Sequence, residues 1–261
     1  MVMNKKIYII SIVAIGLVVA TILISTNSLQ SQNRPHISYN TKYGAISIST
    51  TFPETPDNFP IYKVVERPND TVFFSVIHIE KDRTNVTPES EAPSTAKKIL
   101  DQYGGLPNDS QMSLDKTQYL EEHSGTGQII AKYPISTSVQ FVRIINGHQI
   151  AGDGGYISIE LGTDGELLYF DKVWRTVIPN GSVHVISASE ALRNMQRGEI
   201  LGSQSRCGCE LTVNKITLTY REDGRNVPQK YLDPVWVFSG TLEDGSPWNY
   251  QAYAWNSSEV Q

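Results

Sequence analysis

Two stretches of this chain announce a helix and then give way to strands, and that recurrence constrains the fold more than any single motif. In "PSTAKKILDQYGGLP" (93–107), Ser94 suits an N-cap, and Ala96, Ile99, Leu100 and Tyr103 share one face. Gly104, Gly105 and Pro107 then stop the helix. In "VHVISASEALRNMQRGEI" (183–200), Ser187 and Glu190 form a capping box, Ala191, Leu192 and Met195 make the apolar face, and Gly198 ends it. Strand-like runs follow each: "KTQYLEE", "GQIIAKYP", "SVQFVRII", "YISIEL" and "ELLYFDKVWRTVI" after the first, and "ELTVNKITLTYRE", "YLDPVWVFSGTLED" and "WNYQAYAWN" after the second. A helix followed by antiparallel strands, twice, predicts an α+β fold of two units, each an antiparallel sheet with one covering helix.

The N-terminal segment has a different character. Ile7 to Ser25 is nineteen residues without a charge, which as a helix is about 28 Å long, near the roughly 30 Å of a bilayer core. The competing reading, a cleaved signal peptide, wants a shorter apolar run and a small-x-small site, which "ILISTNSLQSQ" lacks. Lys5 and Lys6 precede the span and the next basic residue is Arg34, so the expectation is a single-pass membrane protein with its N-terminus cytoplasmic and its bulk extracytoplasmic. The expected division is an anchor over 1–30, a polar stalk over 31–58, a first unit with its preceding strands over 59–178, and a second over 179–261.

A net charge of −5 argues against a nucleic-acid partner, which would want a basic face. Five N-x-S/T sequons, at Asn69, Asn85, Asn108, Asn180 and Asn256, are candidate N-glycosylation sites on an outward surface. The same residues are also what turns are made of.

"GHQIAGDGGYISIEL" (147–161) invites comparison with a phosphate-binding loop, but it runs from strand into strand, with no helix start and no G-K-[ST]. The EF-hand spacing is also missing. Asn146-Gly147 and Asp164-Gly165 instead read as two-residue hairpin turns, and Gly152, Gly154 and Gly155 as a bulge or wide turn.

"VQFVRIINGHQIAGDGGYISIELGTDGELLYFDKVW" and the variant series "ISASEALRNM", "ITLTY" and "YLDPVWVFSGTLEDGSPWNYQAYAWN" resemble PepSY-like domains. Such domains occur in thermolysin-type propeptides and in extracytoplasmic regulators of two-component systems. The resemblance covers roughly residues 91 to 258 and rests on strand and turn placement. It implies a tandem PepSY-like protein with an inhibitory, chaperone-like or regulatory role, and therefore binding rather than catalysis.

Catalytic signatures are missing from the sequence. His36, His78, His123, His148 and His184 are scattered without an i, i+4 pair or H-E-x-x-H, so neither a metal site nor a cofactor is expected. No G-x-S-x-G is present, and Glu121 and Glu122, adjacent on a strand, face opposite sides. The one suggestive cluster is "RCGCE", where Cys207 and Cys209 suit a local disulfide, free thiols, or a redox or metal role. The expectation is a non-enzymatic, membrane-anchored binding or regulatory module acting on a protein or peptide. Its alternatives are a thiol protein using Cys207 and Cys209, or a structural component of a glycosylated surface.

Overall fold

A computed structural model describes residues 37–41, 44–66, 71–74, 85–201 and 209–255. Strands are β1 (Ile37–Thr41), β2 (Gly44–Ile48), β3 (Phe59–Glu66), β4 (Thr71–Phe74), β5 (Ser110–His123), β6 (Ile129–Ile145), β7 (His148–Gln149), β8 (Tyr156–Leu161), β9 (Leu167–Val173), β10 (Thr176–Val183), β11 (Leu211–Arg221), β12 (Tyr231–Leu242) and β13 (Pro247–Tyr253). The helices are α1 (Ala92–Asp101) and α2 (Ala188–Gln196).

These elements build two sheets. The seven-stranded sheet runs β1-β2-β11-β12-β3-β10, with β13 also pairing β12; the six-stranded sheet runs β4-β9-β8-β6-β5, with β7 pairing β6. The smaller sheet is a contiguous run of chain, whereas the larger is assembled from segments on both sides of it. Strand β3, which opens the segment 59–178, therefore pairs with β10 and β12 in the larger sheet. Ile37–Thr41 and Gly44–Ile48, within the segment read as a stalk, form β1 and β2, and β2 lies parallel to β11 with Ile46 and Ile48 buried.

The α+β expectation, a transmembrane helix ahead of two helix-covered units, is overturned. The described residues are mostly β, about 55% strand and 10% helix. The physical reason is length: helices of ten and nine residues are only about 15 Å long and each buries one narrow stripe. Period-two strands supply most of the core instead. Leu211, Val213, Tyr220, Trp236, Phe238, Tyr250 and Ala252 cluster with Ala191, Leu192 and Met195 of α2; Val139, Phe141, Ile157, Ile159 and Phe170 cluster with Ala96 and Leu100 of α1.

The membrane assignment is corrected on the same ground. Among the described residues no helix is long and apolar enough to cross a membrane, so the single-pass, extracytoplasmic placement has no structural support. Ile7 to Ser25, on which it rested, lies outside the described residues.

Local signals act as their chemistry dictates. Ser187 Oγ accepts from the Glu190 N–H at 3.2 Å, capping α2. Helix α1 starts earlier than its Ser94 suggests: Pro93 is admitted into the first turn because its missing N–H is not needed there. Ser94 Oγ then donates to the Glu91 carbonyl at 2.8 Å. Asn146 and Gly147 both have positive φ, as do Asp164 and Gly165, the geometry of two-residue hairpin turns.

Candidate functional site

Strands β11, β12 and β13 alternate, and one of their faces is the core of the larger sheet. The opposite face presents matched rows across the three strands: Lys215, Ser239 and Asn249; then Thr217, Val237 and Gln251; then Thr219, Val235 and Tyr253. Residues Gly147 to Gly152 stand over this face as a wall. Between wall and floor lies a groove of about 540 Å³, lined by Lys215, Thr217, Thr219, Val237, Ser239, Asn249 and Gln251. A smaller recess of about 180 Å³ continues it past Gly152 to Asp153, Arg221 and Leu201. Hydroxyls and carboxamides dominate the lining, so the groove offers both donors and acceptors at strand spacing.

The wall is held by backbone. The Ala151 N–H donates to the Tyr220 carbonyl at 2.7 Å, Glu222 N–H donates to the Ala151 carbonyl at 2.9 Å, and Gly154 N–H donates to the Glu222 carbonyl at 2.9 Å. Such close approach explains the glycines. A Cβ on Gly152 would come closer than 3.0 Å to the Glu222 carbonyl oxygen, and one on Gly154 closer than 3.0 Å to the Asp223 carbonyl oxygen. The loop is thus a docking seam between the two sheets, which is a tighter requirement than a bulge. Thr219 Oγ1 reinforces it, donating to the Gln149 carbonyl at 2.6 Å. Asn146 Nδ2 donates to the Tyr62 hydroxyl at 2.9 Å, and burial pushes the Tyr220 phenol up to about 12.

Behind the seam sits an ionic node. Arg143 Nη1 donates to Glu222 Oε2 at 2.6 Å, its Nε to Asp109 Oδ2 at 2.7 Å, and its Nη2 to the Arg175 carbonyl at 2.7 Å. The guanidinium also stacks 4.6 Å from the Trp174 ring centre. Arg175 grips the loop between β11 and β12 through the carbonyls of Asp223, Gly224 and Val227, and its N–H donates to Glu222 Oε1 at 2.9 Å. Burial raises the Glu222 carboxyl above its ordinary range, and the two arginines oppose that shift.

At the recess end, Arg221 donates to Asp223 Oδ1 and to Gln251 Oε1, both at 2.7 Å. Asp233 stands opposite Arg221 on the neighbouring strand. Burial, then the nearby Asp223 charge, lift the Asp233 carboxyl to about 6.

The glycine stretch and His148 border the groove, and the other residues singled out from sequence lie elsewhere. Asn85, Asn108 and Asn180 are exposed, while Asn69 and Asn256 lie outside the described residues. Cys209 is disulfide-bonded, and Cys207 lies outside the described residues, as do His36 and His78. His123 Nδ1 is 3.2 Å from the Gly127 carbonyl and His184 Nδ1 is 3.1 Å from the Asp57 carbonyl; His148 lines the groove and its ring makes a T-shaped contact with Phe59. Among the described residues no three His, Cys, Asp or Glu side chains gather as a metal site would require. The groove and node were missed because their members are scattered singly along the chain. The available signal was an arginine inside an apolar strand, Arg143 in "VQFVRII", since a buried charge needs a buried partner. Compared with protein-family models and with curated proteins, the chain matches none.

Proposed function

We propose that this chain is a non-catalytic binding module that takes an extended segment of a protein or peptide along the polar groove. The observation that carries the reading is the three-strand ladder of Thr217, Ser239, Asn249 and Gln251 opening into about 540 Å³. Side chains repeating at strand spacing match the repeat of an extended polypeptide, whose backbone donors and acceptors hydroxyls and amides satisfy. The inhibitory or regulatory role implied by the PepSY-like resemblance is a role of this kind, exerted by occupying or presenting a segment rather than by transforming it.

The test is affinity selection. A random twelve-residue peptide library displayed on phage is panned against the full chain, and enriched peptides are titrated by calorimetry. The reading expects a shared pattern among the enriched peptides and saturable binding that Val237→Trp, which fills the groove from its floor, abolishes. Enrichment no better than on bare support, or binding that survives Val237→Trp in a folded variant, would sink it.

A further inference from the structure

Among the described residues, strand β5 is the free edge of the smaller sheet and pairs only with β6. Its outward backbone groups can be assigned. The Thr117 N–H donates at 2.7 Å to Glu89 Oε1 rather than to β6, so Thr117 faces away from the sheet. Alternation then turns Asp115, Tyr119, Glu121 and His123 the same way. The register irregularities at Gln118/Tyr119 and Glu122/His123 skip residues of β6, leaving the alternation of β5 intact. Past Thr137, where β6 leaves β8, the β5–β6 pair continues as a two-stranded ribbon. Tyr119 is 51% exposed there and Ile130 is 62% exposed.

The polar side chains on this edge are complementary to themselves. Reading outward from Tyr119, Lys116 and Glu122 lie three residues away on either side, and Asp115 and His123 lie four away. An antiparallel copy of the strand centred on Tyr119 sets Lys116 against Glu122 and Asp115 against His123, twice each. Moving the centre to Gln118 opposes Asp115 with Glu121, and moving it to Leu120 sets Lys116 against Ser124. Self-complementarity about one residue is the signature of an isologous contact, and like charges directly opposite one another on a sheet are unfavourable.

We propose that β5 pairs with β5 of a second copy of this chain, antiparallel, with Tyr119 on the two-fold axis. The smaller sheet then continues from one protomer into its partner. The Tyr119 residues form a hydrogen-bonded pair at the axis, and Thr117 faces Glu121 of the other copy. Glu89 competes, because its carboxylate holds the Thr117 N–H that the second strand would use, so the contact forms by displacing it.

Cross-linking of the full chain carrying Tyr119→Cys tests this, with the parent chain, holding only Cys207 and Cys209, as background. Across the axis the two Cα atoms would be about 5.5 Å apart, within disulfide reach. Glu121→Cys places its two copies about 14 Å apart along the strands and serves as the control. Under mild oxidant the Tyr119→Cys dimer is expected to accumulate at least tenfold faster than the Glu121→Cys dimer. In the Tyr119→Cys background, Lys116→Glu alone and Glu122→Lys alone should each suppress the dimer, since each puts like charges opposite. An equimolar mixture of the two should restore it, since every opposed pair is again complementary. Adding Glu89→Ala should speed dimer formation. Equal rates for the two cysteine positions, single charge variants that cross-link like their parent, a mixture no better than its components, or a Glu89→Ala that slows the reaction would each overturn the proposal.

Discussion

Arg143 and Glu222 meet at 2.6 Å across the seam between the two sheets, and their side chains are 3% and 0% exposed. Neither charge has water to fall back on, and Arg175 closes the other side of the carboxylate at 3.6 Å. The node therefore fixes which strands face each other at the end of the groove.

Glu222→Gln keeps the shape and removes the charge, leaving Arg143 and Arg175 buried around a neutral amide. Breaking one side of a buried pair costs about 3–5 kcal/mol. Urea unfolding at pH 7 should show that loss in the midpoint. Arg143→Met with Glu222→Leu should cost less than Glu222→Gln alone, because it leaves one buried arginine, Arg175, without the carboxylate instead of two. An unchanged midpoint for Glu222→Gln would mean that the node is hydrated in solution.

Gly154→Ala should destabilise by about 1–3 kcal/mol, the usual range for forcing atoms into a filled space. Its new Cβ meets the Asp223 carbonyl and Glu222 Cγ at under 3.0 Å, and neither belongs to the flexible end of a side chain. Gly125→Ala is the control, with nothing within 4 Å and no positive φ. Thermal melts of the two variants should separate by several degrees. Equal melting temperatures would show that the seam gives way without cost.

Sequence legibility tracked the distance over which each feature is decided. The Ser187–Glu190 cap and the Asn146-Gly147 and Asp164-Gly165 turns are decided within four residues, and each is in place. The reason for Gly152 and Gly154 is not local: it is the backbone of Glu222 and Asp223, some seventy residues further on, and no window around the glycines contains it. The parallel pairing of β2 with β11, or of Ala151 with Arg221, is likewise invisible to periodicity. The groove escaped notice for a related reason. Thr217, Ser239 and Asn249 look like ordinary solvent-facing positions until three strands set them side by side.

Asp233→Asn should flatten the pH dependence of stability. The folded-state carboxyl is lifted to about 6 by burial, with the Asp223 charge adding to it. A raised pKa means that the folded protein binds the proton more tightly than the unfolded chain does. The stability it contributes is full below the ordinary Asp value near 4 and is lost as pH rises through about 6. The loss is of order 3 kcal/mol for a shift of about two pH units. Asparagine carries no such titration, so the variant should lose less stability than the parent between pH 4 and pH 7. Chemical denaturation at half-unit intervals decides it, and parallel curves for parent and variant would contradict the assignment.

Alternation along β11 makes a final prediction that separates binding from folding. Thr217 lines the groove while Leu218, the next residue, is 8% exposed within the core of the same sheet. Thr217→Val removes one hydroxyl from the floor and keeps its volume. It should weaken a selected peptide by several-fold to about tenfold, the worth of one hydrogen bond, and leave the unfolding midpoint within about 0.5 kcal/mol of the parent. Leu218→Ala should do the reverse, costing about 2–5 kcal/mol of stability through the cavity it leaves, with affinity per folded molecule nearly unchanged. Calorimetric titration paired with urea unfolding on both variants reads the two effects separately. If Thr217→Val leaves affinity untouched, or Leu218→Ala changes affinity and stability in proportion, the polar ladder is not the surface that holds the peptide.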